Sequence, residues 1–521
     1  MTASPETATD FPVRWDDPAD ASICWEYERE HVPDGMTPLG FDLYFGPFLG
    51  GFGWARAYLQ NYYVFVWYSM PEGGDAPKVD LDQLAGWVRN WHEKIIPEVE
   101  GHTQRFLRTD FDALSDVDLA AEIEKLPELR ARMGHLHTRA LFPHWVGMRH
   151  LINTYKELTG HDDELAALRL VQGYGSKSVD AGVALWRLSR LAASVPAVID
   201  TLLSRLDTPA TIAALDREPA ARPFLDAFSQ FLDEFGWRSD LFELATPTWA
   251  EDPTIPLHQL RGYLDLPDYD PATEQQRLAA DREDAIQATL AGLAPEARAQ
   301  LQAVLDVVKG AVNLQEDHNY YIDQRCAFSP RRLVLAAARR LVANGALAEA
   351  NDVFYLRPAE LVGALRDGAT PLHATVDGRK AEMQRWAAIE PPPWIGAPPA
   401  DSESESPAAM GGHGSKELRS NGASAGVARG PARVLMSLAE ADRFRPGDVL
   451  VARTTMPAWT PLFAPAAAII TESGGVLSHA AVTAREYATP AVLNVVDATR
   501  LIRDGQLVEV DGSAGIVRLL S

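Results

Sequence analysis

The residues best placed to do chemistry lie near the C-terminus, in the segment TESGGVLSHAAVTAREYATPAVLN that starts at Thr471. Gly474 and Gly475 permit positive φ and a close approach of the backbone to a ligand. Ser478 then reads as an N-cap, which sets His479 in the first turn of a helix, where unpaired N–H groups and the positive dipole end face whatever the imidazole holds. Such a site disfavours imidazolium and stabilises an attached anion, so a ring nitrogen can attack phosphorus and carry it. Thr471 and Arg485 are expected to hold phosphoryl oxygens, with Ser478 as a second hydroxyl contact. The same pattern also suits a plain capping or surface histidine, with Arg485 paired to Glu486 or Glu472, and residue chemistry alone leaves both readings open.

The elements around His479 read as short aliphatic strands at 448–452, 466–471, 490–494, 507–510 and 515–519, broken by Gly and Asp turns and by one helix over 478–487. Ahead of them, residues 391–416 combine prolines, a Ser/Glu tract and glycines, a composition expected to form a flexible tether, with His413 as solvated linker. Residues 111–390 read as a helical domain, with a capping box expected at Thr273 and Gln276 and a helix start at Pro295. The aromatic-rich residues 1–110 are assigned to the same acceptor-binding region without a defined fold. The fold class is therefore multidomain: a mainly α-helical N-terminal and middle part, then a C-terminal α/β domain over 417–521.

Composition narrows the function. The chain has 521 residues, a formal net charge of −24 and two cysteines. Such acidity argues against nucleic acid as a partner, and two cysteines build neither a disulfide framework nor a Cys-based zinc site. The N-terminus lacks signal-peptide features, and the longest apolar stretch, near 461–470, is too short to span a membrane, so a cytoplasmic location with no membrane partner is expected.

The 471–495 segment closely resembles the T-x-x-GG-x-x-SHAA-x-x-ARE signature of phosphohistidine domains in phosphoenolpyruvate-utilising enzymes. GASAGVARGPARVL from Gly422 and RTTMPAWTPLF from Arg453 agree with it, and the WTPLF and AREY wording is most similar to rifampin phosphotransferases. GWRSDLFELATPTWAEDP from Gly236 resembles the middle domain of that group. The resemblance implies that His479 is the phosphorylated residue of a swivelling domain, within a phosphoryl-binding set of Thr471, Gly474, Gly475, Ser478 and Arg485. Dikinases of this group load the histidine with an ATP-grasp domain, and these 521 residues carry neither the length nor the Gly-rich phosphate loop for one. The chain is accordingly expected to work with a separate ATP-grasp subunit that brings ATP and Mg2+, with phosphohistidine as its one covalent group. Split systems of similar layout, such as phenylphosphate synthase, imply a small phenolic acceptor. A rifamycin-type antibiotic acceptor, or a non-catalytic regulatory module of carrier-like fold, are the alternatives.

The acceptor is expected to meet the helix through EDHNYYIDQR, where regular helical spacing puts Glu316, Asn319, Tyr320 and Asp323 on one face and His318, Ile322 and Arg325 on the other. His318 or Glu316 would take the phenol proton and Arg325 would steady the phosphoryl group. Buried ion pairs between helices are the competing reading. Arg238 and Glu243 are further acceptor-binding candidates, and Lys177 in GYGSKS could contact phosphate. His135 and His137, two apart, point away from each other on a helix, and no metal site is expected. The Trp/Tyr density between Trp54 and Trp67 reads as core packing ahead of a pocket lining.

Overall fold

The computed structural model describes residues 11–69, 80–204, 206–368, 371–399 and 417–520. His413 and residues 400–416 of the expected tether lie outside them. No single helix among the described residues is long and apolar enough to cross a membrane.

The aromatic N-terminal segment forms an antiparallel sheet. Asn61 and Tyr62, at φ of 51° and 70°, turn the chain between Ala55–Gln60 and Tyr63–Tyr68. The sheet continues through Cys24–Tyr27 to Trp394–Gly396. Its closing pair sets Trp25 opposite Ile395 and buries both with Tyr63 and Phe65. The expected tether is thus corrected at its start: residues 394–396 are a paired strand, held because they cover an aromatic core nearly 370 residues earlier in the chain. The aromatic cluster is core packing.

Helices fill the middle. The longest, Leu126–Thr159, ends at Gly160, whose φ of 74° supplies the left-handed conformation that closes a helix. Lys177–Ala193 starts on Ser176, whose hydroxyl accepts from the Val179 N–H. The capping box at Thr273 gives way to an earlier start: the helix Pro271–Ala291 is capped by Asp270, and the Thr273 hydroxyl donates to that carboxylate at 2.9 Å. Pro295 opens its helix as expected. EDHNYYIDQR is not one regular α-helix. Leu314–His318 is α-helical and Asn319–Cys326 is a π-helix, so residues five apart come onto one side and the expected division into two faces breaks down.

The C-terminal domain is an eight-stranded mixed sheet. Val427–Val434, Val449–Ala452, Ala468–Thr471 and Ala491–Leu493 run parallel in its centre. The last three strands are buried throughout, which is why they read as unbroken aliphatic runs. Parallel neighbours need a crossover, and His479–Glu486 is the helix that joins Ala468–Thr471 to Ala491–Leu493. It therefore begins at the C-terminal end of a central strand, the usual position for a ligand site in open α/β sheets.

This domain packs against the helical body. Glu486 accepts hydrogen bonds from the N–H groups of Gly173 (2.7 Å) and Gly175 (3.1 Å). Both glycines have positive φ, which turns their N–H groups toward the same carboxylate. Arg282 braces that turn by donating to the carbonyls of Gln172 and Gly173. Gln259 donates to the Ala458 carbonyl at 2.8 Å, and Val476 and Leu477 pack on the core that contains Met148 and Leu151.

Candidate functional site

Gly474, at φ 107°, and Gly475, whose carbonyl accepts from the Ser478 N–H at 3.0 Å, turn the chain from the strand end into the helix. A Cβ at Gly474 would lie 3.0 Å from the Ser478 hydroxyl, so the close approach excludes larger residues. Ser478 is the N-cap, and its hydroxyl accepts from the Ala481 N–H. His479 follows in the first turn, as the sequence requires.

Its ring is oriented from the other domain. His479 Nδ1 lies 2.7 Å from Glu316 Oε2, with the two side chains 10% and 1% exposed. A carboxylate only accepts, so Nδ1 carries the hydrogen and the lone pair falls on Nε2. Nε2 is buried and has no hydrogen-bond partner. Burial works to raise the Glu316 pKa, but His479, the Ser178 hydroxyl and His318 outweigh it and hold the carboxyl below its ordinary value. Glu316 is thereby kept as the anion that fixes the ring.

Two further groups share this field. Arg238 is buried against Phe235 and Trp249, and donates through Nη2 to the Lys177 carbonyl at 3.3 Å. Its Nε and Nη1 have no partner. Burial lowers its pKa to about 10, opposed by Tyr320, Glu316 and Tyr487, the groups that surround it. His144, from the long helix, meets the Ala311 carbonyl through Nδ1 at 3.2 Å, which leaves its buried Nε2 as an unpartnered acceptor. Burial pushes His144 down to about 4, and Arg485, Glu316 and His318 are the charges it feels.

Several expected site residues are engaged elsewhere. Arg485 is engaged with the backbone: its Nη1 donates to the carbonyls of Ala423 (2.9 Å) and Val476 (2.8 Å), pinning the loop before His479, and burial lowers its pKa to about 10. The Thr471 hydroxyl donates to the Ser473 carbonyl and shapes the turn. Arg325 pairs with Glu100 at 2.5 Å. Glu243 accepts from the Thr37 N–H and hydroxyl and from the Ala245 N–H, which makes it a loop anchor. Asn319 donates to the Gln315 carbonyl within its own helix. His318 faces Asp323, whose carboxylate also meets His137. Lys177 lies over the Tyr320 ring between Asp180 and Glu234, whose charges, with the Tyr320 and Tyr321 rings, outweigh burial and raise its pKa.

Comparison with known proteins divides the chain along the same lines. Residues 136–316 match the rifampicin phosphotransferase fourth domain. Residues 444–515 match the mobile domain of PEP-utilising enzymes. The first match ends on Glu316 and the second contains His479, so the two partners of the 2.7 Å contact come one from each domain. The chain joins a rifampicin phosphotransferase fourth domain to a PEP-utilising mobile domain. Among relatives, the chain is 33% identical to chondramide synthase cmdD of Chondromyces crocatus, over 99% of this chain and 14% of that protein. It is 28% identical to the uncharacterized phosphotransferase YvkC of Bacillus subtilis, over 87% of this chain and 56% of the relative. It is 30% identical to rifampicin phosphotransferase of Streptomyces sviceus, over 67% and 40%. The chain thus spans between 14% and 56% of these relatives' own lengths.

Sequence reading missed Ser178 and His144 in the fourth-domain region and Tyr487 in the mobile domain, and it gave Asp323 and Glu486 other partners than those they meet. Ser178 follows Lys177 in GYGSKS, and a serine beside a lysine after a glycine turn carries no signal of its own. The Tyr487 hydroxyl lies over Gly182, where a Cβ would come within 2.3 Å of it, so a glycine inside a long helix was the available signal for a close approach.

Proposed function

We propose that this chain is the carrier and acceptor-binding component of a phosphotransferase. An ATP-grasp partner transfers a phosphoryl group from ATP, which brings Mg2+ with it, to Nε2 of His479, while water takes the remaining phosphoryl group, so that AMP and phosphate are released. The mobile domain then docks as in this structure. In the second step the P–N bond breaks, a P–O bond forms to the acceptor hydroxyl, and the hydroxyl proton passes to a phosphoryl oxygen. The imidazole leaves neutral because Nδ1 keeps its hydrogen, directed at Glu316. Arg238, with two free guanidinium nitrogens, is the group suited to the phosphoryl oxygens.

The observation that carries this reading is the Glu316 to His479 contact, which leaves His479 with a buried, unpartnered Nε2, while Arg238 feels the charge of the same Glu316. A small phenol is the proposed acceptor. Tyr320 and Tyr321, with ring centroids 4.9 Å apart, stand near Arg238 and Lys177 and offer an aromatic wall for a flat ring. The relatives named rifampicin phosphotransferase favour a second reading, transfer to a rifamycin-type hydroxyl. Incubating the chain with its ATP-grasp partner, ATP and either a panel of phenols or a rifamycin tests both. Phosphorylated phenol supports the first reading, phosphorylated rifamycin the second. AMP release with neither product removes the acceptor assignment.

A further inference from the structure

The helical body holds a second cluster, separate from the phosphoryl site. His137 comes from the long helix, His318 ends the α-helical turn, and Asp323 lies in the π-helix that follows. His137 Nδ1 stands 3.0 Å from Asp323 Oδ1, and His318 Nε2 stands 3.1 Å from Asp323 Oδ2. Three ligand atoms, one per residue, lie within 4.8 Å of one another. The cluster is enclosed: the His318 and Asp323 side chains are each 2% exposed and that of His137 13%. Phe48 and Phe52 flank the His137 ring with centroids at 5.0 and 5.3 Å.

We infer that His137, His318 and Asp323 bind a divalent transition-metal ion of the zinc type. Three features point that way. Two imidazoles and one carboxylate are a nitrogen and oxygen set that suits Zn2+ and its neighbours, whereas Mg2+ and Ca2+ prefer all-oxygen shells. His318 Nδ1 meets the Leu314 carbonyl at 2.8 Å, which keeps a hydrogen there, so a bound ion would take Nε2 in place of the hydrogen that now faces Asp323. A backbone carbonyl that fixes the tautomer in this way is the usual support of a metal-bound histidine. The π-helix supplies the third feature. His318 and Asp323 are five residues apart, and only the wider turn brings both to one point. Single wide turns of this kind recur at functional sites. The ion would also anchor the segment that carries Glu316, two residues before His318. The inference does not depend on the phosphotransferase reading.

The test uses the full chain, stripped with chelator and titrated with Co2+ and then Zn2+. Absorption of the cobalt form, metal content after desalting and thermal melting are read together. One equivalent of Co2+ is expected to bind with a visible d–d spectrum, to be displaced by Zn2+, and to raise the melting temperature. Asp323→Asn and His137→Gln, which keep the volume, are expected to weaken binding by more than about 100-fold, beyond the loss typical of a supporting residue. A wild-type chain that takes up no metal, or no more than Asp323→Asn does, overturns the inference and leaves the cluster as a charged hydrogen-bond triad. Because the wild-type titration decides by itself, a variant that fails to fold does not blunt the test.

Discussion

Glu316 reaches from the helical body to within 2.7 Å of His479 Nδ1, across 163 residues of sequence, and thereby chooses which ring nitrogen is free. Replacing Glu316 by Gln keeps the shape and removes the anion. Transfer to the acceptor should fall by about 100-fold, the lower range for loss of a proton-directing group. On the proposed mechanism, loading of His479 by an ATP-grasp partner with the domain undocked should change little. Single-turnover measurement of each half-reaction separates the two, and an equal fall in both would place Glu316 outside the docked step.

Arg485 and Arg238 should respond in opposite ways. Arg485→Ala removes two hydrogen bonds that hold the loop before His479, a loss of about 2 kcal/mol or more, read as a lower melting temperature. Arg238→Gln gives up only the bond to the Lys177 carbonyl and its ring contacts, and should cost transfer about 100-fold, comparable to losing one donor to a developing charge. If Arg485→Ala melts like the wild type yet cannot transfer, the phosphoryl contact belongs to Arg485.

Glu486 is the clasp between the domains. Its carboxylate receives both glycine N–H groups, so Glu486→Ala leaves two half-buried donors without that partner and should weaken docking by about 1 kcal/mol. Small-angle scattering is expected to show a larger mean radius for the variant, with His479 more open to chemical modification. An unchanged profile would mean that the apolar contacts of Val476 and Leu477 suffice.

His144 sets an acid limit. An unfolded histidine titrates near its ordinary 6.5, whereas the buried ring is pushed down to about 4. Between those values the unfolded chain binds the proton and the folded chain does not. Stability from this group is therefore complete above about pH 6.5 and is lost as pH falls toward 4, up to about 3 kcal/mol in all. In denaturant titrations from pH 6.5 to 4, wild type should lose up to about 3 kcal/mol more than His144→Phe. Parallel curves would show that other groups govern acid unfolding.

The parts of the site legible in the sequence were those made by neighbours in the chain. Gly474, Gly475, Ser478 and His479 lie within six residues, and local rules for turns and helix starts place them correctly. The strands around them were legible because strands buried on both faces read as aliphatic runs. What failed was non-local. Glu316 was singled out as a proton acceptor for a phenol, but nothing in its surroundings in sequence reveals an imidazole from another domain. Arg485 was given to the phosphoryl group on residue type, and the carbonyls of Ala423 and Val476 that claim it are fixed only by the tertiary fold. The opposite-face reading of His318 and Asp323 failed because it assumed 3.6 residues per turn where the chain adopts a π-helix. Trp394–Gly396 read as tether because three residues among prolines show no pattern until Cys24–Tyr27 offers an edge.

The central claim is that Nε2 of His479 carries phosphorus. Mass spectrometry under neutral, rapid-quench conditions, with the ATP-grasp partner and ATP present and acceptor withheld, reads it directly. One acid-labile phosphate on His479, discharged when acceptor is added and absent from His479→Ala, is the predicted result. Product formation by His479→Ala at the wild-type rate, or turnover with no phosphate ever found on that ring, would contradict the account.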